Sequence, residues 1–585
     1  MNNLRIFAAI ILAFSLASCS LPKTKVNLLL TNAHFYTMDP RIPDAGAVAV
    51  DGGRIVAVGM NRWITSRYEG KRTLDLHDAF VLPGLIDGHA HMVGLGMSFT
   101  TVNLTSAKTA NDVVKLVQSA ASRTVPGGWI RGTGWSERLL RQINSSPAAV
   151  LDKAVPGFYV FLVSSGGQAV WVNTKVMELA GVTTSTISPA GGLIIRGKNR
   201  EPSGIFVGAA INLVASQIPP PSELELQNAI ALAADTCARY GITEVQDAGI
   251  DAGVLHAYQE LASKGGLRIR IYAMYNGNDT TLPAILKKGP ILGENGYFTM
   301  RAVRVDMDGP LSNRSAALVS AYSDDPGNYG ETYLGEKDLE NLTVASVASG
   351  FQVCTEAHGD RGIDVVLDAY KEALKAAETS DPRLRVEGVD VLLPGDIHRF
   401  RALGIIPSMQ PVQCVSNMYW IESRVGRRRI RTTYAWQSLL KTGSIVVGGS
   451  DFPDDSPDPR MGIYAAVTRQ DIDGVPQNFA EAEKYFVLTP DAAADSSDYN
   501  GGFFPQQRMR IDQAIKSLTV WPAYGAFQES EKGSITVGKF ADFTIFEKNL
   551  LTAHADEIPY DTILGTIVGG KFVYVDTTAA RWRTQ

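Results

Sequence analysis

The sequence predicts an α/β protein: a (β/α)8 TIM barrel that carries an insertion, with a small composite β-sandwich built from the N- and C-terminal segments. Three observations predict it. From about residue 240 to 450, short apolar strands alternate with helix-period segments, the pattern of repeated βα units. The two ends, about 25–82 and 531–580, instead hold short strands separated by Gly, Asp and Pro turn signals. At 585 residues the chain is also too long for one ordinary core.

The first nineteen residues read as a targeting segment. Arg5 supplies a positive start, and the apolar stretch from Ile6 to Leu16 is too short for a comfortable membrane span. Leu16-Ala17-Ser18-Cys19 then has the form of a lipoprotein cleavage box, with Cys19 as the acylation candidate. The expectation is an exported, periplasm-facing or outer-membrane lipoprotein of a Gram-negative bacterium, attached to the membrane by its N-terminal lipid only. Cys237, Cys354 and Cys414 remain, too few and too widely spaced for a disulfide framework.

The N-terminal strands include Val26-Asn27-Leu28-Leu29-Leu30 and Ala47-Val48-Ala49-Val50, and Asp51-Gly52-Gly53 makes a hairpin turn. Their expected partners at the other end include Phe543-Thr544-Ile545-Phe546 and Ile567-Val568. Between them, 83–530 forms the barrel. The stretch from about 100 to 235, richer in Gly, Ser and Pro, is the insertion, expected to pack over the barrel mouth. Helical patterns at 224–240, 339–349 and 363–377 flank strands at Thr243-Glu244-Val245, Ile269-Arg270-Ile271-Tyr272, Val303-Arg304-Val305 and Ile445-Val446-Val447. A doubly wound open sheet is the alternative, but no G-x-G-x-x-G follows the first strand. A formal net charge of -5 without long basic runs argues against nucleic acid, leaving a small molecule as the expected partner. Nothing in it opposes a homodimer.

Barrel active sites form at the C-terminal ends of strands, so polar groups there are the candidates. Pro83-Gly84-Leu85-Ile86-Asp87-Gly88-His89-Ala90-His91 ends the first strand. Residues i and i+2 of a strand share a side, so His89 and His91 aim both imidazoles at one point, as ligands of one zinc-like ion must. Arg304, Asp306 and Asp308 alternate on a later strand. Glu356 and His358 share a face on the next, Arg385 and Glu387 on the one after, and Asp451 ends an apolar run.

Together with longer motifs, these residues resemble the amidohydrolase superfamily, specifically amidohydrolase family 3, the branch of N-substituted formamide deformylases. The motifs are V-L-P-G-L-I-D-G-H-A-H, G-G-W-I-R-G-T-G-W-S-E at 127–137, D-G-P-L-S-N-R-S-A-A-L from Asp308, P-S-M-Q-P from Pro407, and G-S-D-F-P around Asp451. The resemblance implies a metal-dependent hydrolase of non-peptide carbon–nitrogen bonds (amide, formamide or cyclic amide). It implies a divalent metal, Zn2+ by preference and one ion rather than two. His89 and His91 would be ligands, and Asp451 both ligand and general base.

The chain departs from the family at several positions. Glu356 stands where the family has a ligand histidine, with His358 two residues later. Gly388 replaces the next histidine, Arg304 replaces a lysine, and Gln168 replaces a histidine of the insertion. Glu356 or His358 is then the expected further ligand, and Arg304, Asp308, Gln168 and Trp135 the expected substrate contacts. The alternative is a catalytically impaired relative in which Arg304 fills the metal position and the protein only binds a small amide-like ligand.

Overall fold

The computed structural model describes residues 22–580 apart from 144, 198 and 377–380, so Cys19 and the expected targeting segment lie outside the described residues. Two compact units are present. One comprises the chain up to His91 together with Ala234 onward, and the other is Met92–Ala233.

The first unit contains the barrel. Its strands, in chain order, are β1 (Leu85–Ala90), β2 (Ile242–Ile250), β3 (Arg270–Asn276), β4 (Phe298–Asp306), β5 (Gln352–Ala357), β6 (Arg385–Gly388), β7 (Ile406–Met409) and β8 (Val447–Gly448). They lie side by side in that order, and every neighbouring ladder from β1 to β8 is parallel. The circle closes just past β8, where Asp451 N–H donates to His89 O at 2.8 Å and His91 N–H to Phe452 O at 2.8 Å. The α/β barrel expected from the alternating pattern is therefore present. One hairpin arm, Ile291–Glu294, adds to β4 outside the circle.

The helix after β5 faces the core with one apolar stripe. In Asp360–Ala376 the stripe is Ile363, Val366, Leu367, Tyr370 and Ala373, the three-and-four spacing of a core-facing helix. The Tyr370 hydroxyl donates to Arg385 O at 3.0 Å, pinning that helix to β6. Cys237, Cys354 and Cys414 are buried free thiols.

The two chain ends meet in one sandwich. Phe80–Pro83 pairs antiparallel with Phe543–Phe546, Val81 opposite Ile545. This six-stranded sheet faces a four-stranded sheet of Thr24–Thr31, Ala47–Asp51, Arg54–Gly59 and Tyr68–Asp75. Leu28, Leu30, Val48, Val81, Phe543, Ile545 and Ile567 fill the space between them. Alternate residues of each strand supply this core, as expected of two packed sheets.

The Met92–Ala233 unit has its own six-stranded mixed sheet and its own core around Trp135, Trp171, Leu151 and Val160.

Gly88 sits on β1 where a Cβ would come within 2.3 Å of Val447 Cγ1 and 2.6 Å of Gly448 O. The first and last strands approach closely enough only because this residue has no side chain. Gly88→Ala should cost about 1–3 kcal/mol through overpacking. The expected result is a thermal unfolding midpoint several degrees lower by scanning fluorimetry. An unchanged midpoint would contradict so tight a seam.

Candidate metal centre

The seam between β1 and β8 builds the site. Asp87, buried on β1, accepts from the backbone N–H of His89 (3.2 Å) and of Ser450 (3.0 Å) and from the Ser450 hydroxyl (2.6 Å). One carboxylate thus clamps the last loop onto the first strand. Burial pushes its pKa up to about 6, against the pull of these three donors. The loop then turns sharply, with Asp451 at φ +61, a left-handed conformation that Asp tolerates better than most residues.

That turn carries the Asp451 carboxylate to the histidines. Its Oδ1 is 3.2 Å from His91 Nε2 and 3.7 Å from His89 Nε2. Ligands bound at about 2.1 Å around a tetrahedral ion stand about 3.4 Å apart, so this spacing fits one ion. Among the described residues, His89, His91 and Asp451 are the group whose donor atoms all lie within 4.8 Å of one another. Three protein donors plus one open position is the arrangement of catalytic zinc sites. Asp451 Oδ2 faces the other way and accepts from Gln413 Nε2 at 2.6 Å.

The imidazole tautomer is fixed from behind. His89 Nδ1 lies 2.9 Å from Glu387 Oε2. Burial alone would raise the Glu387 pKa, but Arg385 and His89 outweigh it and hold the carboxyl at about 2, so it accepts and Nδ1–H donates. The Nε2 lone pair is left pointing into the site. Arg385 is itself fully buried. Its Nε is 2.7 Å from Glu387 Oε1, and it donates to Gln246 Oε1 at 2.5 Å and Gly88 O at 2.8 Å.

Four of the expected residues stand outside the three-donor group. The His358 Nδ1 is 3.0 Å from Asp390 Oδ2 and its Nε2 is 3.1 Å from Glu356 Oε1. Burial opposes the charged ring, but the two carboxylates overcome it and hold His358 well above the usual histidine range. Both ring nitrogens thus face carboxylates, and neither belongs to the three-donor group. Glu356 also lies outside the three-donor group. Its Oε2 is 3.9 Å from His89 Nε2, and it is paired tightly with Arg304. Burial would raise its pKa, but Arg304 and His358 hold it well below the usual range. Arg304 is committed to that pair and to Asp306 at 2.8 Å rather than free for substrate. Asp308 is a backbone anchor, not a substrate contact, since its oxygens accept from the N–H groups of Ala317 (2.8 Å), His358 (2.8 Å) and Gly359 (2.9 Å).

The two remaining candidates belong to the other unit. Trp135 is fully buried there, donates its Nε1–H to Leu162 O at 2.9 Å and packs edge-on against Trp171. With no exposed surface and its one polar atom bonded, it is a packing residue and not a substrate contact. Gln168 is exposed on the turn between Tyr159–Ser164 and Ala169–Val172.

The structure also explains why position 388 is glycine. Gly388 has φ +85, and a Cβ there would come within 2.9 Å of His358 Nδ1 and 3.0 Å of its Cε1. The His358 ring thus occupies the room that a side chain at 388 would need. Gln413 and Asp390 were not marked by the sequence. The first sits on the helix Pro411–Asn417 and the second in the loop after β6.

Comparisons with known proteins give the family and the fold. Residues 72–574 match the amidohydrolase family. The chain is 29% identical to protein LONG AFTER FAR-RED 3 of Arabidopsis thaliana over 94% of this chain and 91% of that protein. It is 26% identical to the putative amidohydrolase YtcJ of Bacillus subtilis, covering 92% and 98%. It is 25% identical to the N-substituted formamide deformylase of Arthrobacter pascens, covering 94% and 99%. The fold is shared with an uncharacterized metal-dependent hydrolase of Pyrococcus horikoshii, with a TM-score of 0.73 at 22% identity over 90% of this chain and 99% of that one. The chain belongs to the amidohydrolase family and is a hydrolase of that superfamily.

Proposed function

We propose that the protein hydrolyses a non-peptide carbon–nitrogen bond of a small amide, formamide or cyclic amide, using one divalent ion, zinc by the donor set. The observation that carries this reading is the convergence of His89 Nε2, His91 Nε2 and Asp451 Oδ1 at ligand spacing. A divalent ion there would lower the pKa of a water and polarise the scissile carbonyl.

The protein groups divide the remaining work. Glu387 orients His89. Asp451, half-buried at the seam, takes the proton of the attacking water and delivers it to the leaving nitrogen. Gln413 holds Asp451 Oδ2, so the carboxylate keeps one rotamer while Oδ1 faces the histidines. The Arg304 guanidinium, held against Glu356 beside His89, is a fixed positive charge that disfavours a second cation. This favours one ion over two. The formamide deformylase among the relatives supports the bond class.

The chain purified without chelator should carry about one equivalent of zinc-like metal by mass spectrometry, and His89→Ala/His91→Ala should lose it while still folding. Asp451→Asn should lower kcat on a responsive amide by about 10²–10⁴-fold. A folded protein that binds no metal under any loading condition would instead support a ligand-binding relative without turnover.

We also propose that Cys19 is acylated and tethers the chain to a membrane. No helix among the described residues is long and apolar enough to cross one. In detergent phase separation the full-length protein should enter the detergent phase and Cys19→Ser should remain aqueous. Equal partition of the two would remove the anchor.

A further inference from the structure

A cavity of about 470 Å³ lies within the first unit, lined from the beginnings of barrel strands rather than their ends. Arg270 is the first residue of β3, Thr299 and Arg301 stand near the start of β4, and Glu244 near the start of β2. The metal-centre residues follow the C-terminal ends of β1 and β8, so this cavity is separate chemistry on the same scaffold. Its volume is in the range of small-molecule sites. The hairpin arm Ile291–Glu294 forms one wall, with Leu292 63% exposed at its rim.

The lining is rich in positive charge, with Arg54, Arg270, Arg301 and Lys532 against Glu244 and Glu531. Three of the four cations are already paired, although the Glu244 oxygens accept no hydrogen bond. Arg270 is bonded to Asp542 by two donors at 2.7 and 2.8 Å. Arg54 pairs with Glu531 at 2.9 Å, and Lys532 pairs with Glu244.

Arg301 is different. Among the described residues no carboxylate lies within ion-pair distance of it, and its buried Nε has no hydrogen-bond partner. Its guanidinium is nonetheless held in place, 3.8 Å above the Phe527 ring. Beside it, Gln528 donates to the Thr299 hydroxyl at 3.2 Å, while its own buried Oε1 accepts from nothing. Only Nε of the Arg301 guanidinium is enclosed, so its two terminal nitrogens, which make no hydrogen bond among the described residues, are the donors left accessible. Phe527, Phe540 and Tyr297 supply aromatic walls.

We propose that this cavity binds a small organic carboxylate. The carboxylate takes the two terminal nitrogens of Arg301, whose planar geometry matches two oxygens. The aromatic walls cover the ligand's apolar body.

The test is calorimetric titration of the full chain with 3-hydroxybenzoate, with neutral 3-hydroxybenzamide as the control. The acid should bind saturably and the amide at least about tenfold more weakly, the loss expected when one charge-assisted contact goes. Arg301→Gln should weaken the acid by a similar factor. Leu292→Trp, at the exposed rim, should weaken it by filling the entrance, and it carries the test if Arg301→Gln does not fold. His89→Ala/His91→Ala should leave the affinity unchanged. Absence of saturable binding, equal affinity for the acid and the amide, affinity untouched by Leu292→Trp, or binding lost with the histidines would each overturn the proposal.

Discussion

The seam between the first and last barrel strands is the constraint on which the site depends. Asp87 and Ser450 are 363 residues apart in sequence, yet a single buried carboxylate holds the loop of one to the strand of the other. Three donors satisfy that carboxylate, and burial still pushes its pKa upward. The structure tolerates this cost because the clamp sets where Asp451 turns. Without it, the two histidines would point at an empty side of the barrel, with no third donor to meet them.

Around that seam the unusual residues form one compensated set. Position 388 is glycine and position 358 histidine, and the His358 ring fills the room that a side chain at 388 would need. That ring is not part of the three-donor group, and carboxylates face both of its nitrogens. Instead, Asp390, His358, Glu356, Arg304 and Asp306 form a chain of alternating charge. Removing one member of such a buried chain leaves its neighbour uncompensated, which is why these substitutions make sense together and not singly.

Much of the fold was legible from sequence, for a physical reason. Strands that are buried on both faces read as short apolar runs, and the helices between them carry a clear stripe, so the αβ alternation is written locally. The histidine pair was equally legible, because two side chains at i and i+2 share a direction whatever the rest of the chain does. What sequence could not show was which charges partner each other. Glu356 and His358 share a strand face and looked like ligands, but Arg304 and Asp390, on other elements, capture them. Asp308 looked like a substrate contact because it is charged at a strand end, and its three backbone partners come from two separate loops. Trp135 sits in a motif that resembles the family's, yet a motif does not reveal that both faces of the ring are covered.

The composite sandwich bears on how the chain is made. Phe80–Pro83 emerges early in synthesis, but its ladder partner Phe543–Phe546 emerges near the end. Leu85 N–H, at the start of the first barrel strand, likewise waits for the Thr544 hydroxyl, 459 residues downstream. The opening strand of the barrel therefore hangs on a sheet that cannot be finished while most of the polypeptide is still on the ribosome. Such high contact order makes folding slow and leaves edges open meanwhile. Until the C-terminal strands arrive, those edges stay open to pairing with other chains.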